Sequence, residues 1–153
     1  RAIALQPGQR GRHHLKTMQN SKCQVYPNLP FENLIPAIDA IHYDGRTLRV
    51  TLLFKPQDYE LVYLDFEYVM GFRMLREGDL LDFANDEYPK NWLLSVSENG
   101  WYEQEKLRKG FTSQYVFDMK GNRPNEFFIL GESDCISVLT SLTDVPKITF
   151  IER

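Results

Sequence analysis

A chain of 153 residues, 42 % hydrophobic and 13 % aromatic, excludes general disorder and is long enough to fold as one domain without a disulfide or a metal. Its formal net charge of −3 is unevenly spread: residues 1–17 hold Arg1, Arg10, Arg12 and Lys16 and no acid, which leaves 14 basic against 21 acidic side chains in 18–153, a net of −7. So acidic a domain is a poor nucleic-acid binder, because phosphate contacts need clustered Lys and Arg, and it suits a basic partner instead.

Apolar runs stay well short of the roughly 18 residues of a membrane span. Nothing has the basic start and apolar core of a secretory signal. Cys23 and Cys135 are far apart and belong to no CxxC pair. They read as two reduced thiols of a cytoplasmic protein, with a single disulfide left to geometry.

Residues 1–17 read as a flexible basic leader or an expression remnant, with Met18 fitting a natural start. Residues 18–153 read as a single globular β-rich domain. His13 and His14 are adjacent, but no third ligand is spaced nearby for a metal. Pro27, Pro30 and Pro36 forbid a long helix in the next stretch, where Cys23 and Val25 fit a short edge strand.

The β signal is clear from Ala37. AIDAIHY precedes Asp44-Gly45, a strong hairpin turn. In the following strand Leu48, Val50, Leu52 and Phe54 share one face. In ELVYLDFEY, Val62, Leu64, Phe66 and Tyr68 share one face. A hairpin closed through 55–59 sets Phe66 against Leu48, Leu64 against Val50, Val62 against Leu52 and Arg49 against Asp65.

Tyr68 to Glu87 then reads as a hinge between two β-rich halves. Gly71 is expected to bend or end the strand, and Leu75, Leu80, Leu81 and Phe83 fit one or two amphipathic helical turns. An acidic block follows, with no basic residue between Glu77 and Glu87. Trp92–Ser97 alternates as a strand. Asn99-Gly100 is a second turn signal, after which the hairpin continues or a helical turn forms; periodicity leaves both open. Residues 110–125 read as a loop, and EFFIL, CISVL and KITFI as three further strands. About seven strands and one to three short helices, with no βαβ alternation, predict an α+β, mainly antiparallel β fold: a strongly bent sheet or open barrel.

No phosphate loop, GxSxG, HExxH or zinc spacing is present. His42 is the sole histidine of the globular part and has no nearby nucleophile. The acidic block reads as a solvated face or as a protein-binding surface made by Glu77, Asp79, Asp82, Asp86 and Glu87. Trp92, Trp101, Tyr102, Phe111 and Tyr115 read mainly as core, with Trp101, just after a turn, a candidate exposed anchor. The residues suggest no catalytic site, metal or cofactor.

The order GFRMLREGDLLDF (71–83), WLLSV (92–96), NGW (99–101), GF (110–111) and FFILGESDCISVL (127–139) resembles a set of small bacterial proteins, some of them immunity proteins of contact-dependent or polymorphic toxin systems. The resemblance implies a cytoplasmic, non-enzymatic inhibitor whose partner is a cognate toxin domain, with charge complementarity favouring a basic nuclease. It supplies no site residues; those above come from charge clustering alone. The alternative is a small-ligand-binding or enzymatic β-rich domain, with its site between the halves near His42 and the aromatics. Stoichiometry and self-association are left open by the sequence.

Overall fold

The computed structural model of the chain describes residues 21–55, 60–76, 91–111, 123–141 and 144–151. Nine strands and one short helix follow in order: β1 (Lys22–Val25), β2 (Ala37–Tyr43), β3 (Leu48–Phe54), β4 (Glu60–Phe66), β5 (Val69–Arg76), β6 (Leu93–Glu98), α1 (Trp101–Glu105), β7 (Asn125–Leu130), β8 (Asp134–Thr140) and β9 (Lys147–Ile151). All pairings are antiparallel. They build a five-stranded sheet, β1-β6-β7-β8-β5, and a four-stranded sheet, β2-β3-β4-β9. The expectation of a mainly antiparallel fold therefore holds, but the single bent sheet or open barrel is replaced by two sheets that do not close.

The hairpin register is the one the alternation predicts. Leu48 pairs with Phe66, Val50 with Leu64, Leu52 with Val62 and Arg49 with Asp65. The inward side chains Leu48, Val50, Leu52, Phe54, Val62, Leu64 and Phe66 are all fully buried. Opposite them, Phe127, Ile129, Ile136 and Val138 of the five-stranded sheet join the same core cluster. Rings bridge the sheets: Phe66 lies 5.4 Å from Phe127, and Phe54 5.4 Å from Trp92. The sheets thus pack face to face as a sandwich.

The two turns of the first half follow local chemistry. Asp44 Oδ1 accepts hydrogen bonds from the backbone N–H of Arg46 (2.9 Å) and Thr47 (2.7 Å), and Gly45 takes φ +95°. The proline-rich stretch 27–36 folds across one end of the sandwich. There Trp92 Nε1 donates to the carbonyl of Pro30 at 2.8 Å, and the Phe31 ring lies 4.7 Å from that of Phe54.

Two expectations are corrected here. The strand slips in register between Val69 and Gly71 but does not end there; β5 runs on to Arg76, so Leu75 is in a strand and not in a helical turn. The chain changes sheets three residues earlier, at Glu67-Tyr68, where Tyr68 takes φ +51°. A Cβ at Gly71 would stand 3.4 Å from the Trp101 ring, an ordinary contact distance. A Cys23–Cys135 disulfide is also excluded. β1 and β8 are separated by β6 and β7, roughly 14 Å at the usual strand spacing, well past disulfide reach.

The exposed face of the four-stranded sheet carries Arg49 and Asp65, joined by two 2.8 Å hydrogen bonds, with the guanidinium 4.3 Å from the Tyr63 ring centre. Leu64→Ala should lower the unfolding free energy by about 2–5 kcal/mol, because it empties a packed core. Arg49→Ala should change it by less than about 1 kcal/mol, because the pair is solvated. Urea unfolding of the two variants checks the contrast.

Candidate functional site

Of the residues marked out by sequence, Glu77, Asp79, Asp82, Asp86 and Glu87 lie outside the described residues, as do His13 and His14. Trp101 is described, and it is buried, not an exposed anchor. Asn99, at φ +56°, turns the chain back over the five-stranded sheet. Trp101 then opens α1 and packs with Tyr102 on Leu139 of β8. Its indole N–H donates to Glu105 at 3.0 Å, and the Arg73 guanidinium lies 5.1 Å from its ring centre.

The start of α1 is fixed by a carboxylate from another element. Gly100 is the N-cap and has no side chain with which to cap. Glu126 of β7 takes that part: its oxygens accept from the N–H of Trp101 (2.6 Å) and Tyr102 (3.2 Å). Gly100 must be glycine, because a Cβ there would collide with Glu126 Oε1 and come within 2.6 Å of Val96. Arg123 holds the arrangement together. It donates to Glu126 at 3.0 Å, to both oxygens of Glu103 at 2.8 and 3.0 Å, and to the Val96 carbonyl at 2.6 Å. Burial pushes the Glu126 carboxyl above its ordinary pKa, while the two N–H donors and Arg123 pull it back.

Beside this network lies a cleft of about 470 Å³, between β6 and β7 on one side and residues 144–146 on the other. Tyr26, Ser95, Arg123, Asn125 and Asp144 line it, and the described lining residues include no histidine or cysteine. Asn125 Nδ2 donates to the carbonyls of Ser141 (3.2 Å) and Asp144 (3.1 Å) and so ties the entry of β9 to β7. Asp144 is 7 % exposed. One of its carboxylate oxygens accepts from the Glu67 N–H at 3.2 Å; the other is buried without a hydrogen-bond partner. Burial raises the Asp144 pKa, with the Glu67 carboxylate adding to the effect. The neighbouring Tyr26 hydroxyl is raised by burial and then by Asp144.

His42 is not part of this cleft. It stands exposed on β2, at the opposite edge of the four-stranded sheet from β9. Among the described residues no group of three His, Cys, Asp or Glu side chains is placed to hold a metal ion. Comparison with protein-family models, with curated proteins and with solved structures finds no match.

Sequence reading missed Arg123, Glu126 and Asp144. Glu126 had a signal: it shares a strand face with Phe128, so its carboxylate belongs to a buried face and needs partners. Asp144 had none, since its role depends on Glu67, far away in sequence.

Two measurements follow. Glu126→Ala should cost about 1–3 kcal/mol of stability, because two helix N–H groups lose their acceptor while Arg123 keeps Glu103, and Glu126→Gln should cost less. Trp fluorescence during urea unfolding reads both. The folded-state pKa of Asp144 is raised, so its contribution to stability is full below the unfolded value, near 3.8, and is lost as pH rises through the folded value. The stability of Asp144→Asn relative to the unmodified chain should therefore increase with pH across that window.

Proposed function

We propose that the chain is an immunity-type protein that binds a cognate bacterial toxin domain, a basic one such as a nuclease, and neutralises it in the cytoplasm without catalysis of its own. The observation that carries this reading is the charge distribution. Residues 18–153 hold a net −7, and the densest run of acid, Glu77, Asp79, Asp82, Asp86 and Glu87, follows directly on β5 with no basic residue before Lys90. β5 is an edge strand of the five-stranded sheet. In sequence the run follows a strand that pairs only with β8 among the described residues, and a sheet edge offers a partner backbone groups to pair with. Opposite charge accelerates encounter with a basic domain and suppresses wrong partners. Inhibition by occlusion requires no reactive group, only a surface. No helix of the described residues is long and apolar enough to cross a membrane.

The cleft supports a second reading, a small-ligand-binding domain. The specific observation is the Asp144 carboxylate oxygen left without a partner beside the Tyr26 hydroxyl. A ligand of this kind would carry a hydrogen-bond donor, and its binding would require the Asp144 side chain to open toward the cleft.

The two readings respond to different substitutions. Under the first, reversing Glu77, Asp79 and Asp82 to lysine together should abolish co-elution with the toxin domain and remove the salt dependence of association. Asp144→Asn should leave both unchanged. If the triple variant still protects cells and binds with the same salt dependence, the acidic run is not the contact surface.

A further inference from the structure

The two sheets present four edge strands: β1 and β5 in one, β2 and β9 in the other. Exposed edges invite pairing with other chains, and proteins blunt them with bulges and charges. β2 and β5 are blunted in this way, and β1 by its length of only four residues. The extra residue is Asp39 in β2 and Met70 in β5, whereas the slip at Lys22 and Cys23 puts the extra residue, Ser97, in β6. β5 carries Arg73 and Arg76, β2 carries Asp39 and His42, and Lys22 of β1 is engaged by Glu98 at 2.8 Å.

β9 is different. It pairs with β4 without a slip over all five residues, Lys147 to Ile151, and Lys147 is its single charge. Among the described residues nothing pairs with its other edge. Its core-side residues are Ile148 and Phe150, which pair with Leu64 and Val62. Phe150 remains 48 % exposed even though its ring lies 5.8 Å from that of Phe31.

We infer that the β9 edge is a homodimer interface, at which two copies of this chain join their four-stranded sheets through an antiparallel β9–β9 pair. The register follows from the sequence of the strand. Only a pairing centred on Thr149 overlaps all five residues and keeps core-side side chains on one face. In that register Thr149 meets Thr149 of the second copy across the two-fold axis. Each Ile148 meets the other copy's Phe150 on the core side, and each Lys147 meets Ile151 on the outer side. The edge is therefore complementary to itself, as an isologous interface requires. Aromatic–β-branched and Thr–Thr pairs are favourable cross-strand neighbours. No like charges oppose one another. The half-exposed Phe150 gains a covering that the described residues of its own chain leave incomplete. This inference does not depend on the proposed toxin partner.

The test is sedimentation equilibrium of the full chain, with two variants at the dyad. Thr149 lies on the outer face of the sheet, so its replacement leaves the core intact. The unmodified chain should be a dimer. Thr149→Lys and Thr149→Glu should each weaken it by about fivefold or more, because like charges then face each other across the axis. An equimolar mixture of the two should restore association as a heterodimer, which a merely misfolded variant would not do. A monomeric unmodified chain at its highest soluble concentration overturns the inference. So does a dimer that neither variant weakens, or two weakened variants that the mixture fails to rescue.

Discussion

The structure depends on one constraint: the inner faces of β3 and β4 must be buried against β7 and β8. Seven inward side chains of that hairpin have no exposed surface at all. Period-2 alternation puts them on one side, and burial then forbids any other register, since a one-residue slip would turn the whole set toward water. Every other element is placed with respect to this layer. β2 and β9 flank the hairpin in its own sheet, and the 27–36 segment closes one end of the sandwich with Phe31 and the Pro30 carbonyl.

The five-stranded sheet has a different problem, because its central strands are apolar on both faces. β7 and β8 bury Phe127, Ile129, Ile136 and Val138 inward and Phe128, Cys135 and Leu139 outward. Part of the outer face is covered by α1, a helix of five residues, too short to be stable by itself. It is held instead by Trp101 and Tyr102 on Leu139 and by Glu126 on its first N–H groups. A buried carboxylate is costly unless it is paired, and Arg123 provides the pairing while also binding Glu103 within the helix. The ionic network is thus the fastening of a cover, and its groups are occupied by one another.

How much of this was legible in sequence varies with how local the cause is. The β3–β4 register, the Asp44-Gly45 turn and the Arg49–Asp65 pair were readable, because alternation and turn chemistry act over a few residues. The continuation of β5 was not. Gly71 looked like a break, but the strand slips in register there and runs on, paired with β8 as far as Arg76. Trp92, Trp101 and Tyr102 are core, as their cluster suggested, but Trp101 is no exposed anchor: its position after a turn says nothing of the sheet that the turn folds it onto. The two-sheet architecture was also hidden, since the change of sheet occurs at Tyr68, an aromatic residue in a left-handed conformation that propensity would not assign to a corner. Asp144 owes its environment to Glu67 and Asn125, neither of them near it in sequence.

The placement of the edges bears on how a binding protein of this shape is used. Tyr43 of β2 lies against Phe72 of β5, with ring centres 5.6 Å apart, so β2 and β5 share one side of the sandwich. The cleft joins Ser95 of β6 to residues 144–146 leading into β9, so β9 lies on the other side, with β6. A dimer formed through β9 therefore leaves each β5 edge, and the point at which the acidic run departs from it, away from the dyad. Self-association and capture of a basic partner would not compete for the same surface. If both proposals hold, the complex would be two-to-two, and the gain in avidity would depend on whether the partner is itself multivalent. The two bulged edges fit this division. A strand that must stay free for a partner, or free of any, is protected from uncontrolled pairing by a bulge, as β2 and β5 are, whereas β9 is left straight.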